Sequence, residues 1–211
     1  MMNCAYDELY LQSAQRIVGD MLDFTVNTLK LQMDEFYKYF LISSISHQIE
    51  IGNPTYVAGM NGCEVARLIL DECGVDYLDA DDIMYVDKSA EYWVGWSLAY
   101  YQWKSNKSFS LIDECVPIDM ILGMYSTLHE ADISAFVDIM DEKCQKLRDV
   151  VQLKRLRAYA MLSQSQLAEK SGVALRQIQL FEQGKRDIHK TQGESLRQLA
   201  RALHCSMEEL L

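Results

Sequence analysis

Apolar residues recur along the chain every three or four positions, and no stretch alternates apolar with polar residues in the manner of a half-buried strand. The period predicts an all-α protein. In the first two thirds of the chain, helices are expected over about 6–31, 34–49, 62–73, 89–104, 117–125 and 130–148. Asp34, Asn61 and Ser89 are the N-caps that would satisfy orphan amides. Breaks are expected at Gly52-Asn53-Pro54, between Gly59 and Gly62, at Gly74 and at Asn106. From 129 to 162 there is neither Gly nor Pro. The last of these helices is therefore expected to run on, directly or with a short kink, making the junction near residue 150 stiff rather than a flexible linker.

Beyond that junction the pattern tightens into shorter elements. Ser163 followed three residues later by Gln166 is a capping box, opening a helix whose Leu167 and Ala168 face inward. Gly172 makes the turn. Ile178 and Phe181 then lie three apart on one face of a second short helix, which Gly184 closes. A helix, a tight turn containing glycine and a second helix is the arrangement that lays its second member in a major groove of DNA.

The segment 153–211 resembles the lambda-repressor/Cro-like (Xre-type) helix-turn-helix family. Leu153, Leu156 and Arg157 match the family's first helix, and Ser163, Gln164 and Leu167 its second. Gly172, Val173, Ile178, Phe181, Glu182 and Gly184 match the turn and recognition helix; Leu196, Leu199, Ala200, Leu203 and the closing SMEELL match the last two helices. The resemblance implies a five-helix DNA-binding domain over 151–211, with Arg157 of helix one paired to Glu182 of the recognition helix. It also implies base-facing positions at Ala174, Leu175, Arg176 and Leu180. Ala174 stands where the family usually carries a capping Ser or Thr. Only Arg176 can fork onto a guanine edge, while Leu175 and Leu180 can touch thymine methyls. Gln164, Gln179, Gln183, Lys185 and Arg186 are the candidate phosphate contacts.

Charge divides the chain the same way. Residues 151–211 hold ten Lys or Arg against six Asp or Glu, a net of +4, whereas 1–150 carry −15. A basic module suits a phosphate backbone, and an acidic domain must face away from it. With 211 residues and 49% apolar content the chain can bury a core in a domain of 1–150 as well as in the small one. No apolar run reaches the roughly 20 residues of a membrane span, and MMNCAYDELY lacks the basic and apolar regions of a signal peptide, so a cytoplasmic protein is expected. Cys4, Cys63, Cys73, Cys115, Cys144 and Cys205 show no CxxC spacing and read as reduced, mostly buried residues; no metal site and no cofactor are expected.

Three features of the acidic domain invite a sharper reading. Trp93, Trp96, Tyr100 and Trp103 follow the spacing of one helix face and are read as core, with a partner-binding face as the lesser alternative. The acidic stretch with Asp76, Asp79, Asp81, Asp82 and Asp87 lacks the spacing of a calcium loop and reads as solvated. His129, Glu130 and Asp132 read as a helix start with carboxylates in its first turn rather than an acid/base cluster, so no catalytic residue is assigned. The pieces NPTYVAGM, YWVGWSLAYYQW and MYSTLHEADISAF loosely resemble domains of small bacterial regulators.

These observations predict a transcriptional repressor that binds double-stranded DNA through 151–211 and forms a homodimer through 1–150, a sensing, dimerisation or partner domain. An alternative is an antitoxin whose acidic domain masks a toxin. An enzyme with a fused DNA-binding module would need a polar pocket of perturbed titratable groups, which the sequence does not display.

Overall fold

The computed structural model describes residues 4–211; Met1 to Asn3, which open the N-terminal stretch read above for targeting, lie outside the described residues. Among the described residues the secondary structure is helical throughout, with thirteen α-helices and no strand. The chain divides into two compact units, 1–140 and 141–211. No described helix is long and apolar enough to cross a membrane.

The first unit is built around α1 (Leu11–Asn27), which follows a short 3-10 turn capped by Asp7. Its flanking elements are α2 (Met33–Ile42), α3 (Ser44–Glu50), α4 (Pro54–Val57), α5 (Gly62–Glu72), α6 (Ala90–Ser105), α7 (Phe109–Cys115) and α8 (Ile118–Leu128). Buried residues occur on every side of α1, from Leu11 through Ala14, Ile17 and Val18 to Leu22 and Phe24, as befits a helix enclosed by others. α6 and α5 pack along it. The contact with α6 is made at Gly95, where a Cβ would fall 2.3 Å from the Val18 carbonyl oxygen; at Gly62 on α5 it would fall 2.5 Å from the Met21 nitrogen. Side-chain-free positions let these helices rest on the backbone of α1.

Close approach at Gly95 corrects the reading of α6. Its buried stripe is Val94, Leu98, Ala99 and Tyr101, while Trp93, Trp96 and Tyr100 are only half-buried. Trp103, by contrast, is buried as expected. Trp93 packs edge-on against Tyr125 and Phe136, and the Trp103 ring nitrogen donates to the Tyr6 carbonyl at 2.9 Å. The helix expected over 34–49 is broken at Ser43, whose backbone is extended (φ −71, ψ 155). The Ser43 hydroxyl donates to the Phe40 carbonyl and the Ser46 hydroxyl to the Ser43 carbonyl, so two serines compete with the helical ladder. Asp34 is not a cap: it lies in the first turn of α2 and pairs with Lys38 at 3.1 Å. Asn61 and Ser89 do cap α5 and α6.

Cys63 and Cys144 are buried and the other four cysteines half-buried. The acidic segment between α5 and α6 is irregular, with Asp82 paired to Arg67 and accepting from Asn61. His129 stacks on Tyr125, and the helix that follows, α9 (Ile133–Tyr159), starts one residue after Asp132, whose carboxylate accepts from the Ser134 amide. α9 carries the chain across the division between the units.

The second unit comprises the C-terminal part of α9 with α10 (Gln164–Ser171), α11 (Leu175–Glu182), α12 (Gly193–Leu203) and α13 (Met207–Leu210). One apolar cluster holds the five helices together, with Leu153, Leu167, Ile178, Phe181, Leu199 and Leu203 at its centre. The Gln152 amide also donates to the Glu209 carbonyl at 2.7 Å, tying α13 to α9.

Candidate nucleic-acid interface

α10 opens on the Ser163–Gln166 capping box: the Gln166 amide donates to the Ser163 hydroxyl at 3.2 Å, and the Ser163 amide to the Gln166 side-chain oxygen at 2.8 Å. It ends on Gly172, whose φ of 73 is the left-handed conformation that only glycine adopts without strain. The chain then turns through Val173, buried, and Ala174, extended at φ −55 and ψ 133, into α11. Ala174 supplies no side-chain acceptor, so α11 starts without a side-chain cap.

α11 has two contrasting faces. Ile178, Phe181 and Glu182 are buried. Ala174, Leu175, Arg176 and Gln183 are exposed, and Gln179 and Leu180 are half-buried. Of the candidate base-facing residues, Arg176 is the one whose guanidinium stands clear on the open face; Leu180 is drawn part-way towards the core. Lys185 and Arg186 follow the helix and are exposed, their amides both donating to the Leu180 carbonyl at 3.0 and 3.2 Å. The Arg186 guanidinium lies 5.8 Å from the centre of the Phe181 ring, which holds it near the end of α11.

The buried face is fixed by charge as well as by packing. Arg157 of α9 meets Glu182 in a two-pronged pair, Nε to Oε1 at 2.6 Å and Nη2 to Oε2 at 3.0 Å, and its Nη1 donates to the Leu162 carbonyl at 2.9 Å. Gln164 Nε2 donates to Glu182 Oε2 at 2.6 Å. Burial pushes the Glu182 carboxyl up, and the hydrogen bonds from Arg157 and Gln164 outweigh it, leaving the group below its ordinary value. Gln164 thus spends one of its two amide hydrogens inside the protein.

Sequence reasoning missed two polar ties that position the segment after α11. Gln177 Nε2 donates to Thr191 Oγ1 at 3.0 Å. His189 Nε2 lies 3.1 Å from the buried Asp149 carboxylate, which also accepts from Gln145. No local pattern announces the Gln177–Thr191 and Asp149–His189 pairs, whose partners lie on different elements.

No curated protein and no solved structure matches the chain. Residues 153–210 match the model of a helix-turn-helix family, the domain that DNA-binding regulators carry. That interval covers the last turns of α9 and all of α10 to α13, so this part of the chain is a helix-turn-helix domain of the lambda-repressor/Xre type.

Proposed function

We propose that the chain is a transcriptional repressor that binds its operator as a homodimer, laying α11 in the major groove. The observation that carries this reading is the exposed Arg176 on a helix whose opposite face is locked by Ile178, Phe181 and the Arg157–Glu182 pair. Arg176 forks onto guanine O6 and N7, and Leu175 and Leu180 meet thymine methyls. Gln164, Gln179, Gln183, Lys185 and Arg186 hold phosphates. One helix with a single guanine-reading side chain specifies few base pairs, so two half-sites about 34 Å apart, read by two copies, supply the rest.

The test separates base reading from phosphate holding. Arg176→Ala should weaken binding to the chain's own promoter by about 1 to 3 kcal/mol and relax preference at one position. Lys185→Ala should weaken all duplexes alike and reduce the salt slope by about one charge. Both are read by titrating labelled duplexes, promoter and scrambled, at several salt concentrations. If the unmodified protein binds neither duplex at about 50 mM salt, where phosphate contacts are strongest, the reading fails and the domain serves protein contacts instead.

A further inference from the structure

We infer that the first unit binds a small organic cation, an alkylammonium or alkylguanidinium with a short apolar body, in the recess over Asp23. α1 carries two buried carboxylates one turn apart, Asp20 and Asp23, exposed by 4% and 2%. Their surroundings differ. Asp20 has a cation: Lys88 Nζ lies 2.8 Å from its Oδ1 and 4.1 Å from the centre of the Tyr92 ring. Asp23 meets only neutral donors, Asn27 Nδ2 at 2.7 Å and Ser89 Oγ at 2.8 Å, both on Oδ1. Its Oδ2 is buried and accepts nothing. A buried carboxylate oxygen with neither hydrogen bond nor counter-charge is costly, and such exceptions call for a partner.

The space for one lies beside it. A recess of about 290 Å³ is lined by Asp23, Asn27, Tyr85, Asp87 and Ser89, with two carboxylates and no basic side chain. Glu91 adds a third carboxylate close by, 3.4 Å from the Asn27 amide. Ser89 also borders a neighbouring recess of about 260 Å³ whose other walls are Lys88, itself paired to Asp20, with Tyr92, Trp93, Trp96, Tyr125 and His129. Each lies near the lower end of the small-molecule range, roughly 300 to 1,000 Å³, and the two, meeting at Ser89, ask for different chemistry. The acidic end fits a positive head and the aromatic end an apolar body, with ring faces favouring the cation between them. Lys88, held by a carboxylate and a tyrosine ring, shows the same recognition made internally one turn away. A metal ion fits less well, since no group of three His, Cys, Asp or Glu among the described residues is placed to hold one.

The experiment is isothermal titration calorimetry on the full chain without DNA, so that its outcome is independent of the operator reading. The probes are phenethylamine, agmatine and the uncharged 2-phenylethanol. Phenethylamine or agmatine should bind, and 2-phenylethanol should bind at least about tenfold more weakly, as expected when a charge-assisted hydrogen bond is lost. Asp23→Asn should weaken the amine by about tenfold or more, a loss of the same kind. Asp87→Asn, an exposed change that leaves the core untouched, should weaken it several-fold and so gives a reading even if the Asp23 variant misfolds. The proposal is overturned if neither amine gives saturable heat up to about 10 mM, well beyond the millimolar range of weak ligands. Equal affinity for the alcohol, or unchanged affinity in the Asp87 variant, overturns it as well.

Discussion

Glu182 is a single side chain on which three helices depend. Arg157 reaches it from α9 and Gln164 from α10, while its own backbone closes α11. Removing it leaves the Arg157 guanidinium half-buried and unpaired, so Glu182→Ala should destabilise the second unit by on the order of 1 to 3 kcal/mol. Thermal melting checks this. A carboxyl held below its unfolded value contributes stability that is fully present above that value and is lost as pH falls through the folded one. Asp187 acts in the same sense: burial pushes it up, but bonds from the His189 amide and Lys190 hold it low. The second unit should therefore weaken progressively as pH drops below about 4.3, the usual glutamate value, and Glu182→Gln should flatten that decline. Arg157 and Glu182 stand 25 positions apart, yet their pairing was legible because both fall on family positions. Asp149 and His189 carry no such label, and their contact emerges only from the folded chain.

At the scale of elements, local chemistry was readable where a helix end satisfies itself. The caps at Asn61, Ser89 and Ser163 need only neighbours three residues away. It was unreadable where tertiary contact decides. The even spacing of Trp93, Trp96 and Tyr100 describes a face correctly but not which way it points; the close approach of α6 to the α1 backbone at Gly95 turns another face inward. The short α4 and α7 escaped notice because helices of one or two turns show no periodicity. Gly95→Ala would place a methyl against the Val18 backbone, and the two helices would have to part. It should cost about 1 to 3 kcal/mol, the range for overpacking a tight core. Gly123→Ala on α8, with nothing within 4 Å of the new methyl, should instead stabilise by about 0.4 to 1 kcal/mol. Opposite shifts in melting temperature would verify the pair.

For the whole molecule, charge is the coarse fact: −15 over 1–150 and +4 over 151–211. The acidic part opposes loose association with DNA, so under the proposed function binding would depend on the contacts of α11 and on a second copy to double them. Sedimentation at micromolar concentration should return a dimer; a 24.3 kDa monomer with and without DNA would refute that.

The crowding of indoles on α6 has an optical consequence. All three tryptophans of the chain, Trp93, Trp96 and Trp103, sit on that helix, and 141–211 hold none, with Tyr159 as their one tyrosine. Light emitted at tryptophan wavelengths therefore reports the first unit alone. When acid or Glu182→Ala melts the second unit, far-ultraviolet circular dichroism should fall while the emission spectrum stays in place. An amine settling beside Trp93 and Trp96 should do the reverse, quenching emission with the helix signal intact. The protein thus carries its own dye on one unit, and two cuvette measurements can assign any event to the half of the chain in which it occurs.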